Sequence, residues 1–168
     1  MSRRQVAGFT LLELMVTIAI MAILIAIAVP SFQGSLRSNR VATTSNELLA
    51  SLSLARTEGI KSTRGGGVCA SANGSSCGAD WGQGWMVWTE KDGDGVYDND
   101  ETVVRYSQGK PRLQVAGSAA TVAFDGRGRI MGGAAATIGV VPEGVTTPAR
   151  CVDITITGQA RVRHGACS

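Results

Sequence analysis

From Phe9 to Val29 the chain runs 21 residues with a single charged side chain, Glu13. A helix needs about 20 apolar residues to cross a hydrocarbon core of roughly 30 Å, so this segment is long enough to enter a membrane at least once. Placing a carboxylate in that environment costs about 3 kcal/mol on insertion scales, so Glu13 is expected to be paired or functional.

Three readings of this N-terminus compete. A secretory signal peptide is supported by Arg3 and Arg4 as a basic leader and by Ala26-Ile27-Ala28 as a small-residue cleavage site. Against it, the apolar run exceeds the usual length of about 7–15 residues and holds a charge. A plain single-span anchor would let Glu13 snorkel toward the headgroups, but it leaves Gly8, just before the span, without a role. The third reading comes from the run Gly8-Phe9-Thr10-Leu11-Leu12-Glu13, which follows a short basic leader and opens a uniformly apolar stretch ending at Pro30. That arrangement resembles the class III signal of type IV pilins and type II secretion pseudopilins. The resemblance implies that a prepilin peptidase cuts after Gly8 and methylates the new N-terminus at Phe9. It also implies that Glu13, the fifth mature residue, is the assembly carboxylate, and that the apolar helix becomes a filament core among other pilin or pseudopilin subunits. Before assembly the chain would be held by one span in the inner membrane, with its domain in the periplasm, and as a pilus subunit it would become extracellular. The physics agrees: near the start of a helix a negative charge is favoured by the dipole. An ion pair with a neighbour's positive N-terminus, formed only on assembly, would relieve the cost of an isolated buried carboxylate.

Residues 30–168 are enough for one domain. With 22 glycines in the chain and only 5% aromatics, strands, tight turns and loops are expected more than a thick core. Cys69, Cys77, Cys151 and Cys167 all follow the span. An even count beyond an export signal argues for disulfides in an oxidising compartment. Of the three connectivities, Cys69 with Cys77 and Cys151 with Cys167 is favoured because each bridge closes a short loop. No C-x-x-C spacing occurs, which argues against zinc or a thioredoxin-like site. The net charge of +3 hides segregation: residues 37–64 carry +3, residues 80–101 carry −6 and residues 105–168 carry +5. Partners of opposite sign could therefore meet different parts of one domain.

After Pro30, the residues Phe32, Leu36, Val41, Thr44, Leu48, Leu52 and Ala55 recur at helical steps. One long helix is expected, apolar all round to about residue 29 and amphipathic to about residue 62, loosened or kinked at Pro30 and ended by Arg64-Gly65-Gly66-Gly67. Short β-prone runs follow at Gly67–Ala70, Gly84–Thr89, Thr102–Ser107, Leu113–Val115, Thr121–Phe124, Thr137–Val141, Cys151–Thr157 and Ala160–His164, with Asp-Gly and Gly-rich turns that suggest antiparallel pairing. The expected fold is α+β: a long N-terminal helix packed on an antiparallel β-sheet domain. The expected segments are a leader at 1–8, a membrane or filament-core helix at 9–29, an amphipathic helix at 30–64 and a globular β domain at 65–168.

The stretch GWMVWTEKDGDGVYDNDETVVRY resembles the mid-domain signature of the FimT/GspH group of minor pilins and pseudopilins. There a Gly-Trp strand enters an Asp/Asn/Gly loop and returns through a Glu and an Arg, matched here by Gly84, Trp85, Asp92, Asp94, Gly95, Asp98, Glu101 and Arg105. With the N-terminal signal and the C-terminal cysteine pair, the resemblance covers most of the chain. Residues 108–149 match nothing specific. An EF-hand alignment starting at Glu90 finds acids at several ligand positions and Gly95 at the turn. However, Glu stands in for the usual first Asp, and the flanks read as strands, so an acid-rich solvated hairpin turn is expected, with no metal and no cofactor. His164 is the only histidine, no G-x-S-x-G or H-E-x-x-H motif occurs, and the chain is expected not to be an enzyme.

Near the C-terminus, Arg161 and Arg163 are two apart and hence on one face of a strand, beside His164. The plain reading is an edge strand protected by charge. The functional one is a phosphate-binding patch, since some FimT-like members bind DNA through a Gly-Arg-x-Arg element. In Gly158-Gln159-Ala160-Arg161-Val162-Arg163 the Arg-x-Arg matches, while the glycine lies two residues earlier than in that element. Lys110, Arg112, Arg127 and Arg129 would widen the patch only if the fold brings them near. This half holds few aromatics, Tyr106 and Phe124, so binding to double-stranded DNA would be backbone-directed and sequence-independent. The function expected is that of a FimT-like minor type IV pilin that enters or initiates a pilus, with DNA as a further partner. The alternatives are a GspH-like type II secretion pseudopilin and a membrane-anchored binding module that never polymerises.

Overall fold

The computed structural model describes residues 9–167. Its order is α1 (Leu11–Ser62), β1 (Gly66–Ala70), a 3-10 turn (Trp81–Gln83), β2 (Gly84–Thr89), β3 (Thr102–Gln108), β4 (Leu113–Gly117), β5 (Thr121–Phe124), β6 (Ala136–Pro142), β7 (Arg150–Ile154) and β8 (Ala160–His164). The chain divides between Arg37 and Ser38 into two compact units.

In the N-terminal unit α1 starts because Thr10 caps it: the Thr10 hydroxyl oxygen accepts from the Glu13 N–H at 3.2 Å and its carbonyl from the Leu14 N–H at 3.1 Å. The apolar side chains described from Leu11 to Val29 are exposed. The helix is long and apolar enough to cross a membrane, by length and composition. It continues without a break past residue 30.

In the second unit the strands form two four-stranded antiparallel sheets, ordered β3-β2-β1-β5 and β4-β6-β7-β8. Their alternation builds one core. Val41, Leu48, Leu52 and Ala55 of α1 join Val68, Trp85, Val87 and Phe124 of the first sheet and Val115, Ile138, Val152 and Ile154 of the second. Residues of opposite parity on the first sheet, Cys69, Met86 and Trp88, form a second cluster with Tyr97 and Val103. The sheet is therefore covered on both faces, and Gly67 is what lets Trp88 lie across β1: a Cβ there would come 2.3 Å from the indole ring.

Two expectations are corrected. The helical stripe that packs begins at Val41, while Phe32 and Leu36 are exposed in the N-terminal unit. Strands of four to seven residues span about 13–23 Å, a length that helical residues 41–55 already match at about 22 Å. The strand expected over Cys151–Thr157 stops at Ile154. There Thr155 closes a turn: its N–H donates to the Gln159 carbonyl at 2.9 Å, and its carbonyl accepts from Gly158 N at 2.8 Å.

Both disulfides are local, Cys69 to Cys77 and Cys151 to Cys167. The first ties β1 to the loop that follows it, and the second ties β7 to the C-terminal residues after β8.

Candidate functional site

Three sets of residues carry chemistry. The first is the N-terminal signal. Gly8 lies outside the described residues, whereas Phe9 is exposed and Glu13 sits in the first turn of α1, also exposed. Among the described residues no cation pairs with Glu13. Among the described residues, the unit thus presents an exposed apolar helix and a carboxylate without a cation partner.

The second set is the acidic hairpin between β2 and β3. It was expected to be a solvated turn, but its two glutamates are buried, Glu90 at 3% exposure and Glu101 at 8%. Glu90 accepts from Trp88 Nε1 at 3.2 Å and from Gly93 N at 3.1 Å. Glu101 accepts from Lys91 N at 2.9 Å and from Asp98 N at 3.0 Å. Burial pushes the Glu90 carboxyl above its ordinary range, with the indole bond opposing and Glu101 reinforcing that rise. Glu90, Asp92 and Asp94 lie close enough together to meet at one ion, yet the glutamates at both ends of the loop are committed to its own backbone and indole donors. The carboxylate needed at the twelfth EF-hand position is one of them. Outside, Lys91 pairs with Asp100, and Arg64 donates to the Lys91 carbonyl. The signature residue Trp85 is fully buried, and its Nε1 donates to Ser51 of α1 at 3.0 Å.

The third set is the arginine face of β8. Register places Arg161 opposite Asp153 of β7. Asp153 binds Arg163 through Nε at 3.0 Å and Nη2 at 3.4 Å, and touches Arg161 at 3.6 Å. The Arg163 hydrogen bond is the main cause holding the Asp153 carboxyl below its usual range. Arg163 is therefore largely neutralised in place, whereas Arg161, with its side chain 74% exposed, is free to meet an anion. Of the outlying cations, Lys110 pairs with Glu47 and Arg129 with Asp125. Arg56, on the helix, is a residue the sequence does not single out. Its guanidinium reaches the carbonyls of Gly128 and Thr157, bringing the segment of Arg127 and Arg129 beside the β7–β8 turn. In sequence it looks like any solvated helix charge, and only the long-range bonds distinguish it.

Over residues 44–159 the chain matches the family model described as type II transport protein GspH. The chain belongs to the GspH family. Residues 3–29 match the prokaryotic N-terminal methylation motif. No curated protein sequence matches well enough to add a relative. Among solved structures, the type IV minor pilin FimU of Pseudomonas aeruginosa superposes with a TM-score of 0.60 at 20% identity, over 75% of this chain and 90% of that one. The minor pseudopilin EpsH from the type 2 secretion system of Vibrio cholerae superposes with a TM-score of 0.53 at 17% identity, over 74% and 96%. At such identities the likeness is one of fold, a long N-terminal helix followed by antiparallel sheets. This GspH-family chain is accordingly a protein of the minor pilin and pseudopilin class, which assembles with other pilin-type subunits. Its methylation motif and apolar helix suggest anchoring in a membrane and assembly into a pilus-type filament.

Proposed function

We propose that this chain is a FimT-like minor type IV pilin. A prepilin peptidase would cut it after Gly8 and methylate Phe9, and one inner-membrane span would hold it with the β domain in the periplasm until it enters a filament. It works by contact rather than catalysis. Glu13 supplies the assembly charge, and the arginine face binds the backbone of double-stranded DNA. The observation that carries the DNA part is the unequal sharing of Asp153, which leaves Arg161 exposed beside an already neutralised Arg163.

A second reading, a type II secretion pseudopilin, draws support from the name of the family model matched over residues 44–159. Deleting the gene in its host separates the two. Loss of twitching and transformation with normal exoprotein release supports the pilus, and the reverse selects secretion. For DNA, the double variant Arg161→Gln, Arg163→Gln should bind duplex more weakly. Its slope of log affinity against log salt should fall by about one, since each neutralised phosphate contributes roughly −0.9 and Arg163 is already held by Asp153. A double variant that binds like the parent at every salt concentration rejects the patch.

A further inference from the structure

Three segments distant in sequence meet at Arg56. Its Nε donates to the Gly128 carbonyl at 2.8 Å and its Nη2 to the Thr157 carbonyl at 3.3 Å, so one planar fork on α1 holds both the 125–129 loop and the 155–159 turn. Gly158 makes that meeting possible. Its φ is +75°, and a Cβ on it would fall 1.9 Å from the Gly128 carbonyl oxygen, so the two turns touch only because this residue has no side chain.

The junction opens as a groove of about 430 Å³ lined by Ser53, Arg56, Thr57, Thr155, Gln159 and Arg161 among others. Arg56 and Arg161 line the groove itself, while Arg127 and Arg129 lie on the loop that Arg56 holds and Arg163 follows Arg161 on β8. The aspartates on these segments are each already held, Asp125 by Arg129 and Asp153 by Arg163. Glu58, on the same stretch of helix, is paired with Lys61. Arg127 is exposed and, among the described residues, in no ion pair; Arg161 has only its 3.6 Å contact.

We propose that the anion-binding face is a composite site in which Arg127 acts together with Arg161, and that Arg56 is the positioning residue that fixes the loop carrying Arg127 to the turn leading into Arg161 on β8, and both to the helix. The ligand it fits is the phosphodiester backbone of duplex nucleic acid. The proposal rests on the DNA reading above and extends it to two residues outside the C-terminal hairpin. Arg161 is already fixed by the pairing of β8 with β7, and the tie to Arg56 fixes the loop of Arg127 against the turn that leads into β8, so the two arginines need less ordering relative to each other on binding. Lysine cannot replace Arg56, because a single ammonium lacks the planar fork that spans two carbonyls.

The test uses the full chain in detergent micelles and a fluorescent mixed-sequence duplex, with affinity measured across a salt series. Arg127→Gln and Arg161→Gln should each lower the salt slope by about 0.9. Arg56→Lys keeps the charge, so it should leave the slope near the parent's while weakening binding several-fold at every salt concentration, with the domain still folded by circular dichroism. Gly158→Ala, which forces the turns apart by a different route, should weaken binding in the same way. A purely structural Arg56 would lower the melting temperature and leave the affinity of the folded protein unchanged, which would overturn the positioning role. A parental slope in Arg127→Gln, alongside a reduced one in Arg161→Gln, would confine the site to the C-terminal hairpin and overturn the composite site while DNA binding survives. If the parent binds no duplex at low salt, the DNA reading itself falls, and the composite site with it.

Discussion

Two stretches of one helix, residues 14–29 and residues 41–55, are both rich in apolar side chains and have opposite fates. Val41, Leu48, Leu52 and Ala55 are fully buried in a core that the second unit builds for itself, while Leu14, Ile18, Ile23 and Leu24 are exposed. The difference shows what each unit needs. The second unit satisfies its own surfaces, even turning two buried glutamates into clasps for its acidic loop. Among its described residues, the first leaves an apolar surface exposed and the Glu13 charge without a cation partner.

The sharpest way to break this comparison is to make the same substitution on both sides of it. Leu52→Ala should destabilise the second unit by about 2–5 kcal/mol, read by denaturant unfolding of the full chain in micelles. Tryptophan fluorescence reports on that unit alone, because Trp81, Trp85 and Trp88 all lie in its interior. Leu24→Ala should leave the same transition within about 0.5 kcal/mol of the parent. Equal effects would mean the two stretches are not energetically distinct.

The next largest effect concerns the acidic loop. Glu101→Ala leaves the N–H groups of Lys91 and Asp98 without their carboxylate, which should cost about 1–3 kcal/mol. A neutral outcome would return the loop to a merely solvated turn.

These contrasts also mark how far the sequence alone could be read. The long apolar helix, its end near Ser62, all eight strand positions and the two short disulfide loops were legible, because each follows from local periodicity, glycine punctuation or loop length. The division of the strands between two sheets was not, since antiparallel runs of similar length carry no mark of which neighbour they choose. The arginine face was legible only as the pair Arg161 and Arg163. That Asp153 engages one far more than the other, and that Arg56 joins two remote turns to the helix, depends on register and long-range contact. The burial of Glu90 and Glu101 escaped notice because acids in a loop between strands look solvated until their backbone partners are located.

A smaller effect is expected with pH. Arg163, together with Arg161, holds the Asp153 carboxyl below its ordinary range, so its contribution is fully present above the unfolded value of about 3.9. It is lost as pH falls through the lower, folded value. Asp153→Asn should therefore flatten the acid limb of the stability profile below about pH 4 and leave its shape between pH 5 and 7 unchanged; an altered shape in the neutral range would mean that Asp153 is not the group concerned. The smallest effect should come from calcium. Because Glu90 and Glu101 are already engaged within the loop, millimolar calcium should not raise the melting temperature. A site filled at 100 times its dissociation constant would stabilise by about 2.7 kcal/mol, so a clear upward shift would show that the loop reorganises around an ion.

The central claim is that the N-terminal unit is made to be processed and then satisfied by neighbouring subunits. N-terminal sequencing and mass measurement of the mature protein from its host test it most directly. The account predicts a chain that starts at Phe9 and carries a methyl group on its amino terminus, retaining Glu13 and the whole apolar helix. A mature chain starting at Val29 would mean that the helix is discarded as a secretory signal, and an unprocessed Met1 would mean that it serves only as an anchor. Either result would contradict the account.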